Sequence, residues 1–500
     1  MFSAERGCHR FGLHFDYNKQ LRNYAAVQPS AETAQFPSWR RKIMVLLRRL
    51  SFLFLIAPFS LQAAAPKVSE FTLDNGLKLL VQEDHRAPVA VSQVWYKVGA
   101  SYEHGGITGI SHMLEHMMFK GTRKVPAGQF SKIIAEAGGR ENAFTNHDYT
   151  AYFQQLQVDN LPLAFKLEAD RMANLVLTER EFSKEIKVVM EERRMRTDDN
   201  PQSLVHEQLN AVAFGAHPYH HPVIGWMNDL ENMRVEDARA WYQRWYAPNN
   251  ATLVVVGDVK HDAVFRLAQK HFGALKPYAL PPRKPQQEPP QRGVKQVTVK
   301  APAKLPYVVM GYRTPVVRDV SGDWEPYALD ILAGVLDGHP AARLNQSLVR
   351  ESRLANEVGT GYNEISRGPG LFMIEGTPSE GKSVAELEQG IRNEIAKLQR
   401  DGVSEDELQR VKAQVMATQV YQRDSMFYQG MLIGQLESAG LSWRDEKTLL
   451  QKLNDVTAEQ VKEVARKYLQ DDGLTVAVLD PQPLVTKQPS QSQAGERHAH

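Results

Sequence analysis

The sequence predicts a mixed α/β fold of the α+β type, with two homologous domains that each pack helices on a mixed, mostly antiparallel sheet. Three observations support it. Strand-like alternation and helical spacing take turns on both sides of a Pro- and Gln-rich stretch at 277–293. The segment RVEDARAWYQRWYAPNNATLVVV at 234–256 resembles VTAEQVKEVARKYLQDDGLTVAV at 456–478. The capping-box sequences that start at Thr178 and Ser404 are separated by nearly the same distance along the chain as these two segments.

A processing segment precedes the first domain. Residues 44–49 form a short basic segment, the next segment, LSFLFLIAPFSL at 50–61, is apolar, and QAAA at 62–65 supplies small residues. This pattern is typical of a secretory signal peptide. The alternative is a membrane anchor, but a run of ~12 apolar residues falls short of the ~20 that a span needs. Because signals stand at the N-terminus, we expect translation to start at Met44 and residues 1–43 to be a misassigned extension.

Composition and charge narrow the classes of function. The 500 residues include 60 Lys and Arg against 58 Asp and Glu, and a net charge of +2 creates no field that would favour nucleic acid. Apolar residues make up 42%, which is enough for ordinary globular cores. The only cysteine, Cys8, precedes the signal, so the exported chain would carry neither disulfides nor a catalytic cysteine.

The domains are assigned from the order of the elements. We expect a first domain at 66–276, an extended linker at 277–293, a homologous second domain at 294–480 and a disordered tail at 481–500. The elements predicted for the first domain are strands over 68–99 with a turn at 74–76, a strand over 140–157, helices at about 160–176, 179–197 and 235–247, and a buried strand over 251–259.

Residues 112–116 read HMLEH inside a segment of helical spacing. On a helix, His112 and His116 stand at i and i+4, which places both imidazoles on one face and within reach of a single Zn²⁺. Glu115 stands beside them and could contact a water on the metal without ligating it. HxxEH is the reverse of HExxH and is typical of inverzincins. The alternative is a core helix with incidental polar residues. Two His and a Glu at these offsets argue against it.

Catalytic zinc normally takes three protein ligands, so a third must come from elsewhere. The helix predicted at 179–197 offers Glu185 and Glu192, two turns apart on one face. One could ligate the metal while the other orients a neighbouring ligand. Spacing alone leaves the choice open between Glu185, Glu191 and Glu192, and a plain solvated acidic face is the usual explanation of such a run.

The segment GISHMLEHMMFKGT at 109–122, followed by Glu192, resembles the core motif of the pitrilysin/insulinase family of zinc metallopeptidases. The resemblance covers about residues 68–480 and is greatest to two-domain bacterial members related to mitochondrial processing peptidase. It implies one Zn²⁺ per chain, Glu192 as the third ligand and Glu185 as a residue that orients a ligand without binding the metal itself. It also implies that Glu115 is the general base for a metal-activated water, and that the chain forms half of a clamshell.

The segment GGRENAFTNHDYTAYF at 138–153 resembles the family strand whose open edge pairs with the substrate backbone. Asn142 and Ala143 are the matching positions, and backbone pairing implies extended or unfolded peptides as substrates. Family members often present an Arg and a Tyr, seven apart, from the second domain. Arg350 is present here, but position 357 is Glu. This departure predicts a dimer, either of two identical chains or with a companion that lacks the zinc motif.

The second domain is predicted to be a non-catalytic wall. ILAGVLDGHPAAR at 331–343 contains no HxxEH, and the repeat offset places Thr418 and Val411 where the first half has Glu192 and Glu185. The resemblance and the signal together predict an exported, periplasmic zinc endopeptidase. The alternative is a non-catalytic structural or peptide-binding subunit of the same fold.

Overall fold

A computed structural model describes residues 68–484 of the chain. The predicted signal peptide, the extension before it and the predicted tail from residue 485 onward lie outside the described residues. Within residues 68–484, none of the helices combines the length and the apolar character that crossing a bilayer requires.

The first sheet has six strands, and its order places the predicted substrate strand at one edge. Its strands are β1 (Val68–Thr72), β2 (Lys78–Glu83), β3 (Val89–Tyr96), β4 (Arg140–Thr145), β5 (Thr150–Gln157) and β6 (Ala251–Gly257). The order is β1-β2-β6-β3-β5-β4. Only β2 and β6 run parallel, and every other neighbouring pair is antiparallel.

The second sheet repeats the topology of the first. Its strands are β7 (Lys295–Pro302), β8 (Tyr307–Thr314), β9 (Ala355–Gly361), β10 (Gly370–Pro378) and β11 (Leu474–Gln482). The order β7-β11-β8-β10-β9 contains one parallel pair, β7 with β11, in the place that β2 and β6 occupy in the first sheet. The prediction of two related, mostly antiparallel sheets is therefore confirmed. The predicted tail began too early, because Pro481 and Gln482 still pair with Ala301 and Pro302.

The helices cover both sheets. They are α1 (Ile110–Met117), α2 (Gln129–Glu136), α3 (Leu161–Asn174), α4 (Glu179–Arg193), α5 (Pro201–Ala213), α6 (Met227–Asn232), α7 (Val235–Trp245), α8 (His261–Phe272), α9 (Glu325–Asp337), α10 (Val384–Asp401), α11 (Glu405–Gln422), α12 (Met426–Ala439), α13 (Glu446–Asp455) and α14 (Ala458–Tyr468). The helix predicted over 179–197 ends as an α-helix at Arg193 and continues as a π-helical turn, Arg194–Asp198.

Each of the two predicted capping boxes contains only one of its two reciprocal hydrogen bonds. The Thr178 hydroxyl accepts a hydrogen bond from the backbone N–H of Glu181, and Ser404 accepts one from Glu407. The return bond from the glutamate side chain does not form at either helix. The carboxylate of Glu407 instead accepts from Arg343, with 2.6 Å between Oε2 and Nη2, and a charged donor is a stronger partner than a backbone N–H.

Each half of the chain supplies one helix to the sheet of the other half. Helix α5 packs on β7, β8 and β11, where Val205 and Leu209 are fully buried. Helix α12 packs on β3 and β6 and buries Met431 against Trp95. Gly434 makes this close approach feasible, because a Cβ at that position would lie 2.0 Å from the Trp95 ring. The two sheets are thus joined by exchanged helices.

The segment that separates the sheets is tied to the body of the protein. Residues 276–292 contain neither helix nor strand. The Glu288 carboxylate accepts hydrogen bonds from the backbone N–H groups of Gly215, Ala216 and His217, each at 2.8 Å. Arg313 of β8 also pairs with Glu288, at 3.0 Å. The segment is therefore held against the body of the protein by its own acidic residue.

Candidate metal centre

Helix α1 is held by its N-terminus. Gly109 precedes it with a φ of 85°, a left-handed conformation that glycine adopts at low cost. The buried carboxyl group of Glu103 accepts hydrogen bonds from the N–H groups of Gly109, at 2.6 Å, and Ser111, at 2.8 Å. Met113 and Met117 are fully buried in the first core. Sequence reasoning missed Glu103, since its contacts depend on how the loop before α1 folds back.

His112, His116 and Glu192 converge on one point between α1 and α4. His116 Nε2 lies 3.2 Å from Glu192 Oε2, and His112 Nε2 lies 3.9 Å from the same oxygen. The three ligand atoms lie within 4.8 Å of one another, and no other group of this kind occurs within residues 68–484. Donors at ~2.0–2.1 Å from a tetrahedral Zn²⁺ are separated by ~3.3 Å, so this donor set fits zinc with small adjustments.

Glu185 contacts the back of His116. Its Oε1 lies 3.0 Å from His116 Nδ1, and its Oε2 lies 2.6 Å from Lys120 Nζ. A carboxylate that accepts from one ring nitrogen leaves the other nitrogen free to ligate, which is typical of metal-binding histidines. His112 differs, because its Nδ1 is buried and has no hydrogen-bond partner in the described part of the chain.

The structure distinguishes the three glutamates that spacing left equivalent. Glu192 is the one whose carboxylate faces both imidazoles. Of the two histidines, Glu185 contacts only His116. The Glu191 side chain is 64% exposed and pairs with Arg194. The rotation of α4 is set by Phe182 and Val189, which are buried in the first core.

The charges around the site favour a cation. Burial lowers the pKa of His112 to about 3. Burial also acts to lower the pKa of His116, but hydrogen bonds to Glu185 and Glu192 outweigh it and raise the pKa to about 9. Burial opposes the ionisation of Glu192, yet its bond with His116 holds the pKa at about 2. Metal binding would displace the proton that two carboxylates hold on His116.

Glu115 stands on the same helix and does not belong to the three-residue donor set. Its side chain is buried, and burial raises its pKa to about 6. The hydroxyl of Thr145, at the end of β4, donates to Glu115 Oε2 at 2.5 Å. On the far side of the site, Arg196 Nη1 lies 2.5 Å from Glu192 Oε1. Sequence reasoning singled out neither Thr145 nor Arg196.

The predicted substrate-binding residues occupy two different halves. Asn142 and Ala143 lie on β4, which pairs with β5 on one side and forms the edge of the first sheet. Asn142 Oδ1 accepts from the Ala143 N–H at 2.9 Å. Arg350 is exposed in the π-helical segment Asn345–Glu351, ahead of β9. Within residues 68–484, no hydrogen bond or ion pair joins Arg350 to the histidines.

The second half contains the same pair of helices without the ligands. Helix α9 packs on α11 as α1 packs on α4. Gly334 lies on α9 and faces α11. A Cβ on Gly334 would lie 2.7 Å from Val411, the residue that the repeat places at Glu185. Glycine and valine thus lie where these two helices meet, and neither side chain can ligate a metal.

Comparisons with known proteins point to one family. The model described as insulinase (peptidase family M16) matches residues 78–225, and the model described as peptidase M16 inactive domain matches residues 232–415. The zinc protease PqqE of Helicobacter pylori is 33% identical over 429 residues, which cover 84% of this chain and 94% of that protein.

Solved structures show the same fold. A protease from Helicobacter pylori superposes with a TM-score of 0.79 and 31% identity, covering 83% of this chain and all of that one. A structure from Pseudomonas fluorescens, described as a peptidase M16 inactive domain, has a TM-score of 0.75 and covers 84% of this chain and all of that chain. At 19% identity, the second likeness bears on the fold alone.

Proposed function

Because the chain belongs to the insulinase (M16) family of peptidases, we propose that it is a zinc-dependent endopeptidase that cleaves extended or unfolded peptides. The observation that carries the proposal is the convergence of His112, His116 and Glu192 beside the buried carboxylate of Glu115. These four groups are the ligands and the base that metal-assisted hydrolysis of a peptide bond needs.

His112, His116 and Glu192 would hold the metal, and Glu185 would fix the orientation of the His116 ring. When bound, zinc supplies the Lewis acidity that polarises the scissile carbonyl and activates water. Glu115 takes the proton and returns it to the leaving amine. A carboxylate whose pKa is raised to about 6 suits both transfers near neutral pH, since it accepts and releases a proton at small cost.

The substrate would bind along the outer edge of β4. An extended peptide would pair with the outward-facing backbone groups of β4, which belong to alternate residues around Asn142 and Ala143, as in β-strand addition. Main-chain pairing places few demands on side chains, so it suits unfolded substrates of varied sequence. Arg350, in the second half, would contact the substrate of its own or of a partner chain in a homodimer or heterodimer.

The wider organisation follows the same proposal. Residues 66–276 would form the catalytic domain and 294–480 the non-catalytic domain, joined by the linker at 277–293. Gly334 and Val411 support a second domain without metal chemistry. The signal predicted at 44–65 would export the chain to the periplasm.

The alternative is a non-catalytic subunit that binds peptides, and one experiment separates the two. The purified protein is loaded with zinc, its metal content is measured, and cleavage of an unfolded protein and of quenched fluorescent peptides is compared with that by Glu115→Gln. The expected result is one zinc per chain in both proteins and hydrolysis in the parent only. Equal turnover, or zinc-loaded parent that cleaves neither substrate, would reject the peptidase.

A further inference from the structure

The hydroxyl of Thr145 joins the edge strand to the carboxylate of Glu115. Its proton has two acceptors within reach, Glu115 Oε2 at 2.5 Å and Thr150 Oγ1 at 3.3 Å. The Thr150 hydroxyl donates its own hydrogen bond to the backbone carbonyl of Val98, at 3.0 Å. A carboxylate is the stronger acceptor and is also the nearer one, so the Thr145 proton goes to Glu115.

This bond fixes one oxygen of Glu115 and leaves the other for chemistry. A Glu side chain has three rotatable bonds, and the Glu115 carboxylate is a general base only if it is aimed at the water that it deprotonates. With Oε2 held by Thr145, rotation of the carboxylate about its terminal bond is restricted. Oε1 is then the oxygen that exchanges the proton.

The chain is anchored directly after the strand that carries Thr145. The backbone carbonyls of Asn146 and His147 accept hydrogen bonds from Ala100, at 3.0 Å, and Ser101, at 2.7 Å. Asp148, the next residue, is buried and accepts from the backbone N–H of Arg367 in the second half, at 3.1 Å. The end of β4 is thus a fixed platform, the kind of support that accurate positioning needs.

We propose that Thr145 is a positioning residue, which fixes the Glu115 carboxylate from the strand along which the substrate pairs. The inference rests on the proposed peptidase function. Thr145 lies on β4 two residues beyond Ala143, so its side chain projects from the same face of the strand. Binding of an extended peptide to this strand and orientation of the base therefore depend on one backbone segment.

The test compares Thr145→Val, which keeps the shape and removes the hydroxyl, with Thr145→Ser, which keeps the hydroxyl. The control is Thr252→Val on β6, because the Thr252 hydroxyl is buried and has no hydrogen-bond partner in the described residues. For each zinc-loaded variant, kcat and KM are measured with a quenched fluorescent peptide. Zinc affinity and melting temperature are measured on the same preparations.

The expected result for Thr145→Val is a kcat lower by about ten- to hundredfold at nearly unchanged KM, because a misaimed catalytic group loses rate rather than binding. Thr145→Ser should recover most of the rate, and Thr252→Val should match the parent. Zinc affinity should stay the same in all of them.

Three outcomes for the variants would overturn the inference. They are a Thr145→Val enzyme with the parent kcat, a Thr145→Ser enzyme as slow as Thr145→Val, and a loss of rate that is matched by lost zinc or by a melting temperature below that of Thr252→Val. Parent and Glu115→Gln are assayed alongside. A parent that cleaves nothing overturns the peptidase and this inference together. A parent that cleaves, with Glu115→Gln inactive and Thr145→Val unchanged, overturns the role of Thr145 alone.

Discussion

Replacing Glu185 by Gln should weaken zinc binding without removing a ligand. The two Glu185 oxygens serve His116 Nδ1 at 3.0 Å and Lys120 Nζ at 2.6 Å. Glutamine has one acceptor oxygen and no charge, so it can serve only one of these donors, and it no longer strengthens the His116 ring as a ligand. Loss of such a partner typically costs ten- to hundredfold in metal affinity, or about 1.4–2.7 kcal/mol.

The measurement is competition for zinc between the protein and a chromophoric chelator of known affinity. Glu191→Gln is the matched control, since it removes the same charge from the same helix at a side chain that is 64% exposed. Its zinc affinity should stay within about twofold of the parent, because exposed charges are screened by solvent. Equal affinities for Glu185→Gln and the parent, or an equal loss in both variants, would refute the role assigned to Glu185.

Three further predictions concern stability. Gly434→Ala places a Cβ 2.0 Å from the Trp95 ring and should lower the free energy of unfolding by about 1–3 kcal/mol, measured by urea titration with tryptophan fluorescence; an unchanged midpoint would contradict the packing of α12. Arg171→Met leaves the fully buried Glu168 carboxylate without its cation and should cost about 3–5 kcal/mol, most of which Glu168→Leu in the same chain should restore. Burial raises the pKa of Glu103 from 4.5 to about 8, so the folded chain holds a proton that the unfolded chain releases. The free energy of unfolding should therefore fall as pH rises from about 4 to about 8, and Glu103→Gln should flatten this slope. If the pH dependence of the unfolding free energy were the same for the parent and Glu103→Gln, Glu103 would not be the source of the slope.

The local part of the site could be predicted from the sequence. Two histidines at i and i+4 share a helix face wherever the helix lies, so the pairing of His112 with His116 needs no tertiary information. The choice among Glu185, Glu191 and Glu192 does need it. Seven positions apart on α4, Glu185 and Glu192 share a face, but only the packing of that helix against α1 decides which carboxylate faces both imidazoles.

Other groups at the site depend on distant parts of the chain. Thr145 lies in a segment that was predicted to bind substrate, yet its bond to Glu115 exists because β4 ends beside α1. Glu103 reaches the N-terminus of α1 through a loop whose path no periodicity indicates. In the same way, the repeat predicts two related sheets, whereas the apolar faces of α5 and α12 do not indicate which sheet they will cover.

The exchange of α5 and α12 has a consequence for biosynthesis. The face of the first sheet that contains Trp95 is covered by Met431 and its neighbours, which the ribosome adds more than three hundred residues later. Until then, this face of the first sheet stays uncovered in the nascent chain, and exposed apolar surface of this kind promotes aggregation and chaperone binding. Proteolysis within 276–292 after synthesis would leave two fragments that stay associated through the exchanged helices. Either fragment made alone would expose one face of its sheet and the apolar face of the helix that it normally packs on the other sheet.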